Sequence, residues 1–226
     1  MISKALLLIG SPKPASSTSE SIGDFLLEQL YKQGIEGEKT KLTQILRQED
    51  GENKLISSID NCDILILSCP LYVDSAPAIV IKAMELICNE RKNREHNKRQ
   101  IMLAISNCGF PEAHQNNTAL EIYRHFAEKC GFQWAGGLAL GCGGAISGRP
   151  LNSLGGMAGN IVKALDNTAS AIAQGKCIPE EAVQLMGKPI VPNWLYTLMG
   201  QLGWKAQAKK YGVHKELDNR PYEVKE

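Results

Sequence analysis

Residues 4–19 read Lys-Ala-Leu-Leu-Leu-Ile-Gly-Ser-Pro-Lys-Pro-Ala-Ser-Ser-Thr-Ser, and the fold is decided on this stretch. Ala5 to Ile9 is an unbroken apolar run closed by Gly10-Ser11-Pro12, the pattern of a strand buried on both faces. Beyond it, Ile22, Phe25, Leu26, Leu27 and Leu30 recur at helical spacing, with serine and threonine before them as cap candidates and Gly34 after them as a stop. The chain therefore opens as strand, hydroxyl-rich turn, helix.

The same alternation continues outward. Residues 36–42 suggest a second, more polar strand, and residues 54–59 a short helix. Asp63 to Ser68 is the strongest buried strand, and Ile79, Val80, Ala83, Met84 and Ile87 mark a helix over 76–89. Strands over 101–106 and 131–140 alternate with helices over 117–129 and 156–173. Five strand–helix pairs over residues 2 to about 175 argue for a parallel sheet covered on both faces. In such sheets a ligand lies beyond the carboxyl ends of the strands, where the strand order switches. The remainder, 178–226, falls outside the alternation and reads as a helical extension to a domain spanning 1–177. Trp194, Leu195, Leu198, Met199, Leu202 and Trp204 give that extension an apolar face.

Composition narrows the function classes. The chain has 226 residues, 43% hydrophobic and 22% charged, which suits a packed core and excludes wholesale disorder. A net charge of +1 gives no electrostatic reason to expect nucleic acid, and no acidic docking face either. The polar run 89–100 contains no interleaved aromatic and reads as a solvated helix end and loop. The 7 cysteines lack the close spacing of a zinc or iron–sulfur site, so reduced thiols in a cytoplasmic protein are expected. Ala5 to Ile9 is too short for a signal-peptide core, which needs about 7 to 15 apolar residues. The uncharged stretch from Cys130 to Gly148 is long enough for a membrane span, but its many glycines fit a strand feeding a loop. We expect no membrane association.

Three loops at strand ends hold the candidate site. Gly10 to Ser19 carries no acid, one lysine and the hydroxyls of Ser11, Ser16, Ser17, Thr18 and Ser19 at a helix N-terminus, a set suited to a phosphate. It is neither a P-loop nor a Gly-x-Gly-x-x-Gly fingerprint. Pro70-Leu71-Tyr72-Val73 is stiff and apolar, suited to a flat ring or to packing on its own helix. Ser106-Asn107-Cys108-Gly109-Phe110 permits unusual backbone angles that aim N–H groups at a heteroaromatic edge.

Together these loops, Gly-Ser-Pro-Lys-x-x-x-Ser-Thr-Ser, Pro-Leu-Tyr and Ser-Asn-Cys-Gly-Phe, resemble the NADPH-dependent FMN reductase family of flavodoxin-like proteins. The resemblance implies a flavodoxin-like, doubly wound, five-stranded parallel sheet of order 2-1-3-4-5. It implies FMN as cofactor and NADPH or NADH as hydride donor. Ser11, Lys13, Ser17, Thr18 and Ser19 would hold the FMN phosphate. Pro70, Leu71, Tyr72 and Val73 would line the ribityl chain and one side of the ring. Ser106, Asn107, Cys108, Gly109 and Phe110 would meet the pyrimidine edge. Family members often carry arginine where Lys13 stands, which replaces a bidentate grip by a point charge. The chain also lacks the cysteine cluster of iron–sulfur flavoproteins.

Other readings are weaker. Cys108 has no signature tying it to a base. Leu140-Gly141-Cys142-Gly143-Gly144 only approaches a nucleophile elbow, which disfavours a hydrolase. His96, His114, His125 and His214 stand in polar surroundings and read as surface histidines, not metal ligands. Trp194, Tyr196 and Trp204 suit a flavin lid, a docked helix or a dimer contact. The leading expectation is an FMN-dependent NAD(P)H oxidoreductase passing electrons to a quinone, free flavin or other small aromatic acceptor, working as a homodimer. The alternative is a non-catalytic FMN-binding electron carrier.

Overall fold

Alternation within each strand fixes two hydrophobic layers. In the computed structural model, which describes residues 2–92, 98–220 and 222, the strands are β1 (Lys4–Ile9), β2 (Glu36–Lys41), β3 (Ile64–Pro70), β4 (Ile101–Asn107) and β5 (Gln133–Leu140). They form one sheet in the order β2-β1-β3-β4-β5, every pair parallel. The helices are α1 (Thr18–Lys32), α2 (Leu42–Ile45), α3 (Gly51–Asn61), α4 (Ala78–Arg91), α5 (Asn117–Lys129), α6 (Gly159–Ala173), α7 (Glu180–Met186) and α8 (Asn193–Lys210). This is the doubly wound, flavodoxin-like architecture expected from the sequence. His96 and the middle of the polar run 89–100 lie outside the described residues.

Odd-numbered positions of β1, β4 and most of β5's apolar set face one layer. Leu7, Ile9, Leu103 and Ile105 pack there with Ile22, Leu26 and Leu30 of α1 and Ile161, Leu165 and Ile172 of α6. Leu6, Leu8, Leu65, Leu67 and Met102 face the other layer, with Leu55 and Ile59 of α3, Val80 and Ile87 of α4, and Tyr123 and Phe126 of α5. The exposed edge strand β2 is protected by charge, since Lys39 and Lys41 pair with Glu20 and Asp24 of α1.

The last strand carries an irregularity with a consequence for the domain. Register slips between Met102 and Leu103, whose partners are Trp134 and Gly136. Gly136 takes φ +127, and a Cβ on it would approach Ile178 to 3.2 Å. Ile178 N–H donates to the Ala135 carbonyl at 2.8 Å, and Ala182 and Met186 of α7 are fully buried in the first layer. The compact unit consequently runs from Met1 to Ile190, past the boundary expected after residue 177. The chain's second unit is Val191–Glu226, which contains α8. Among the described residues, no helix is long and apolar enough to cross a membrane.

Candidate functional site

Because all strands are parallel, their carboxyl ends share one edge of the sheet, and β1 with β3 forms the switch in strand order. A cleft of about 270 Å³ opens there. Its walls are Ser11, Lys13, Ser17, Thr18, Ser19, Pro70, Leu71, Tyr72, Asn107, Cys108 and Gly109, joined by Gly143, Gly144 and Ser147. Three loops distant in sequence thus converge as expected. A wider groove of about 410 Å³ lies at the amino ends of β1 and β2, flanked by Lys4, Glu36 and Glu38. It lies beside the edge strand β2 and carries charges of both signs.

One end of the cleft gathers hydroxyl and backbone N–H groups at the start of α1. Ser17 caps α1 in an extended conformation, and its hydroxyl accepts the Glu20 N–H at 3.2 Å. The first intrahelical bond runs from Ser21 N–H to the Ser17 carbonyl, so Thr18 and Ser19 precede any intrahelical acceptor for their own N–H groups. Ser11 Oγ accepts the Lys13 N–H at 3.4 Å, and Ser19 Oγ accepts Asn107 Nδ2 at 2.8 Å. Each of these three hydroxyls accepts, and none donates to another described residue. Their protons, two helix N–H groups and the positive end of the helix dipole have no partner among the described residues, and among these Lys13 is the charged residue lining the cleft. This donor set fits a terminal phosphate. Thr18 differs: its hydroxyl is buried and donates to the Gly143 carbonyl at 2.8 Å, joining α1 to the β5 loop.

The other end is flatter and less polar. Pro70 ends β3 opposite Asn107, and Leu71 N–H donates to the Asn107 carbonyl at 2.8 Å. Leu71 lines the cleft and also packs against the α4 layer. Tyr72 and Ser75 exchange backbone hydrogen bonds around a two-residue turn in which Val73 and Asp74 take φ 47 and 58. Val73 stands at that tip, 97% exposed and off the cleft wall. Phe110, 57% exposed, also stands off it. Ser106 lies beneath the site, fully buried, with its hydroxyl donated to Asn116 Oδ1 at 2.8 Å. Asn107 reaches the cleft, but its amide bridges Ser19 Oγ and the Cys69 carbonyl and thereby ties α1 to β3.

Cys108 sits where two loops meet. Its N–H donates to the Leu140 carbonyl, and its own carbonyl accepts from Gly143 N–H. The thiol donates to the Phe110 and Glu112 carbonyls at 3.6 and 3.7 Å, and burial pushes its pKa up. A thiolate nucleophile is disfavoured by that setting. The contribution of Gly143, Gly144 and Ser147 was missed from sequence. Its signal was Gly141-Cys142-Gly143-Gly144, a run whose value lies in backbone turns: Cys142 and Ser147 take φ 55 and 49. Among the described residues no group of histidine, cysteine, aspartate or glutamate could hold a metal ion.

The family model for the flavodoxin-like fold matches residues 3–145. No curated protein matches the chain. Among solved structures, the chain is similar to RosB with its bound intermediate 8-demethyl-8-formylriboflavin-5'-phosphate, at 15% identity and TM-score 0.60, over 99% of this chain and 91% of RosB. It is similar to the FMN-dependent NADH-azoreductase from Bacillus anthracis str. Ames Ancestor in complex with FMN, at 14% identity and TM-score 0.52, over 76% and 100% of the two chains. It is similar also to the flavodoxin of Streptococcus pneumonia TIGR4, at 12% identity and TM-score 0.54, over 76% and 99%. At these identities the structures speak for the fold, in agreement with the loops and the strand order. On the match to more than half of its length, the chain belongs to the flavodoxin-like fold family.

Proposed function

We propose that the protein is an FMN-dependent NAD(P)H oxidoreductase that acts on a small aromatic acceptor such as a quinone or free flavin, and that it works as a homodimer. The observation carrying this reading is the cleft at the strand-order switch, with hydrogen-bond donors at one end and a proline–leucine–tyrosine wall at the other. Ser11, Ser17, Ser19, Lys13 and the α1 N-terminus would hold the phosphate. Pro70, Leu71 and Tyr72 would flank the ring, with the Cys108–Gly109 and Gly143–Gly144 backbone beside it. Bound FMN supplies hydride acceptance from a nicotinamide and electron donation onward, so the protein need not provide an acid or base. That division of labour suits walls that, among the described residues, hold no carboxylate and no histidine.

Anaerobic mixing tests it. NADPH or NADH should bleach the flavin band of the loaded protein, and a quinone should restore it over repeated cycles. Flavin binding without reduction by either nucleotide would replace the enzyme by an electron carrier. A second reading is favoured by one observation: RosB aligns over 99% of this chain, whereas the azoreductase and flavodoxin alignments cover 76%. RosB holds a modified riboflavin phosphate, which would make the flavin here a substrate. Mass analysis of the flavin recovered after turnover separates the two, since a cofactor returns unchanged.

A further inference from the structure

Asn116 ends the 3-10 turn Ala113–Asn116 and immediately precedes α5. Asparagine there is a favoured helix cap, yet its side chain makes no cap hydrogen bond. The amide turns inward instead and is fully buried. A buried primary amide is costly unless its partners are supplied. Here they are: Nδ2 faces the Ala113 carbonyl at 2.9 Å, the Leu140 carbonyl at 3.3 Å and Cys108 Sγ at 3.3 Å, while Oδ1 accepts from Ser106 Oγ at 2.8 Å. Two carbonyls can only accept, so they fix which way the amide points.

Beyond Ala113 of the same turn, these partners lie at the ends of β4 and β5, whose following loops bound the cleft. Leu140 ends β5, and its carbonyl takes both Asn116 Nδ2 and Cys108 N–H. The Cys108 carbonyl then takes Gly143 N–H at 2.8 Å. Asn116 thus grips the β4 loop through a thiol and the β5 strand end through a carbonyl, one layer behind Cys108, Gly109, Gly143 and Gly144. No atom of it lines the cleft. We propose that Asn116 is a positioning residue that sets the separation of the Cys108–Gly109 and Gly143–Gly144 walls and so determines ring binding, not phosphate binding. The inference rests on the proposed occupancy of this cleft by a flavin.

The test titrates FMN and riboflavin separately by quenching of flavin fluorescence. Asn116→Asp keeps the shape, removes both N–H donors and sets a carboxyl against two carbonyls. It should weaken FMN and riboflavin by the same factor, about ten-fold or more, as for a lost buried hydrogen bond, and change the shape of the bound-flavin band. In a Cys108→Ala background the loss should shrink, because the clamp acts partly through that thiol. Unchanged affinities and spectrum in folded Asn116→Asp, a loss confined to FMN, or losses that multiply independently of Cys108 would each overturn the proposal. Where Asn116→Asp does not fold, Ser106→Ala removes the donor to Oδ1 and leaves the amide in place. It should give a smaller but equal loss for both ligands, and no loss overturns the clamp. Failure of the unaltered protein to bind FMN defeats the proposed function and the clamp together, whereas normal binding with indifferent variants defeats the clamp alone.

Discussion

Ser17 and Thr18 are adjacent hydroxyls with opposite assignments. Ser17 Oγ accepts from Glu20 N–H and donates to no described residue, while Thr18 donates its proton to the Gly143 carbonyl. Ser17→Ala should lower stability by about 1 kcal/mol through loss of the cap, and weaken FMN while sparing riboflavin. Thr18→Val should weaken both ligands alike, because it releases the β5 loop from α1. Fluorescence titrations of the four combinations decide the matter: a Ser17→Ala loss shared by riboflavin removes the phosphate from this end of the cleft. Val73 poses a different residue-scale question. A β-branched side chain at φ 47 is strained, and both central residues of this turn take positive φ. Val73→Asn should raise stability by roughly 1 kcal/mol with little effect on FMN affinity, read from urea unfolding with and without flavin. A destabilised variant would mean that the exposed valine makes a contact the isolated chain does not contain.

Elements were the most legible level of the sequence, because each strand is short and bounded and each helix has a clear stripe. α1, β2 and α5 fall within a residue or two of their expected limits. α7 lies within the stretch expected to be helical, but its seven residues carry too little periodicity to show that it joins the core; its place there comes from Gly136 leaving room for Ile178. The cleft was legible where hydroxyls or prolines cluster, and illegible where backbone does the lining, as at Gly143 and Gly144. Ser106 and Asn107 show the remaining limit: sequence places them at a strand end but not on which side of the wall their side chains turn. The tie between β1 and β3 gives a pH prediction at this scale. Asp63, just before β3, accepts from Ser3 and Lys4 N–H at 2.8 and 2.9 Å and pairs with Lys98 at 2.8 Å. Burial would raise its pKa, but the Lys98 ammonium and the two N–H donors outweigh it and hold the group at about 2, below its ordinary 3.8. A depressed folded pKa makes the stabilisation complete above about 3.8 and removes it as the pH falls toward 2. Urea midpoints measured from pH 5 to 2 should therefore fall more steeply for the unaltered protein than for Asp63→Asn. Parallel curves would show that Asp63 titrates alike in the folded and unfolded chains.

At the scale of the whole molecule the chain is two units, Met1–Ile190 and Val191–Glu226, and the proposed dimer depends on the second. On α8, Trp194, Leu198 and Leu202 recur every four residues along one face with Met199 beside them, and Trp194 and Trp204 are 70% and 76% exposed. No charged residue interrupts the helix before Lys205. An unbroken apolar row of this kind on a protein surface marks an interaction site or an aggregation liability. A second copy of the same helix would cover it without burying a charge along its first three turns. Sedimentation of the full chain at dilute concentration should give the mass of a dimer. Trp194→Glu with Leu198→Glu places two carboxylates in the row and should shift the equilibrium to monomer while leaving the far-UV spectrum unchanged. Met1–Ile190 carries both buried layers and every residue lining the cleft. A chain ending at Ile190 should therefore fold, remain monomeric and still bind FMN. A full-length monomer, or a dimer that persists without residues 191–226, would sink the assignment of α8 as the contact. A shortened chain that dissociates and also loses FMN would instead show that the dimer contributes to the flavin site.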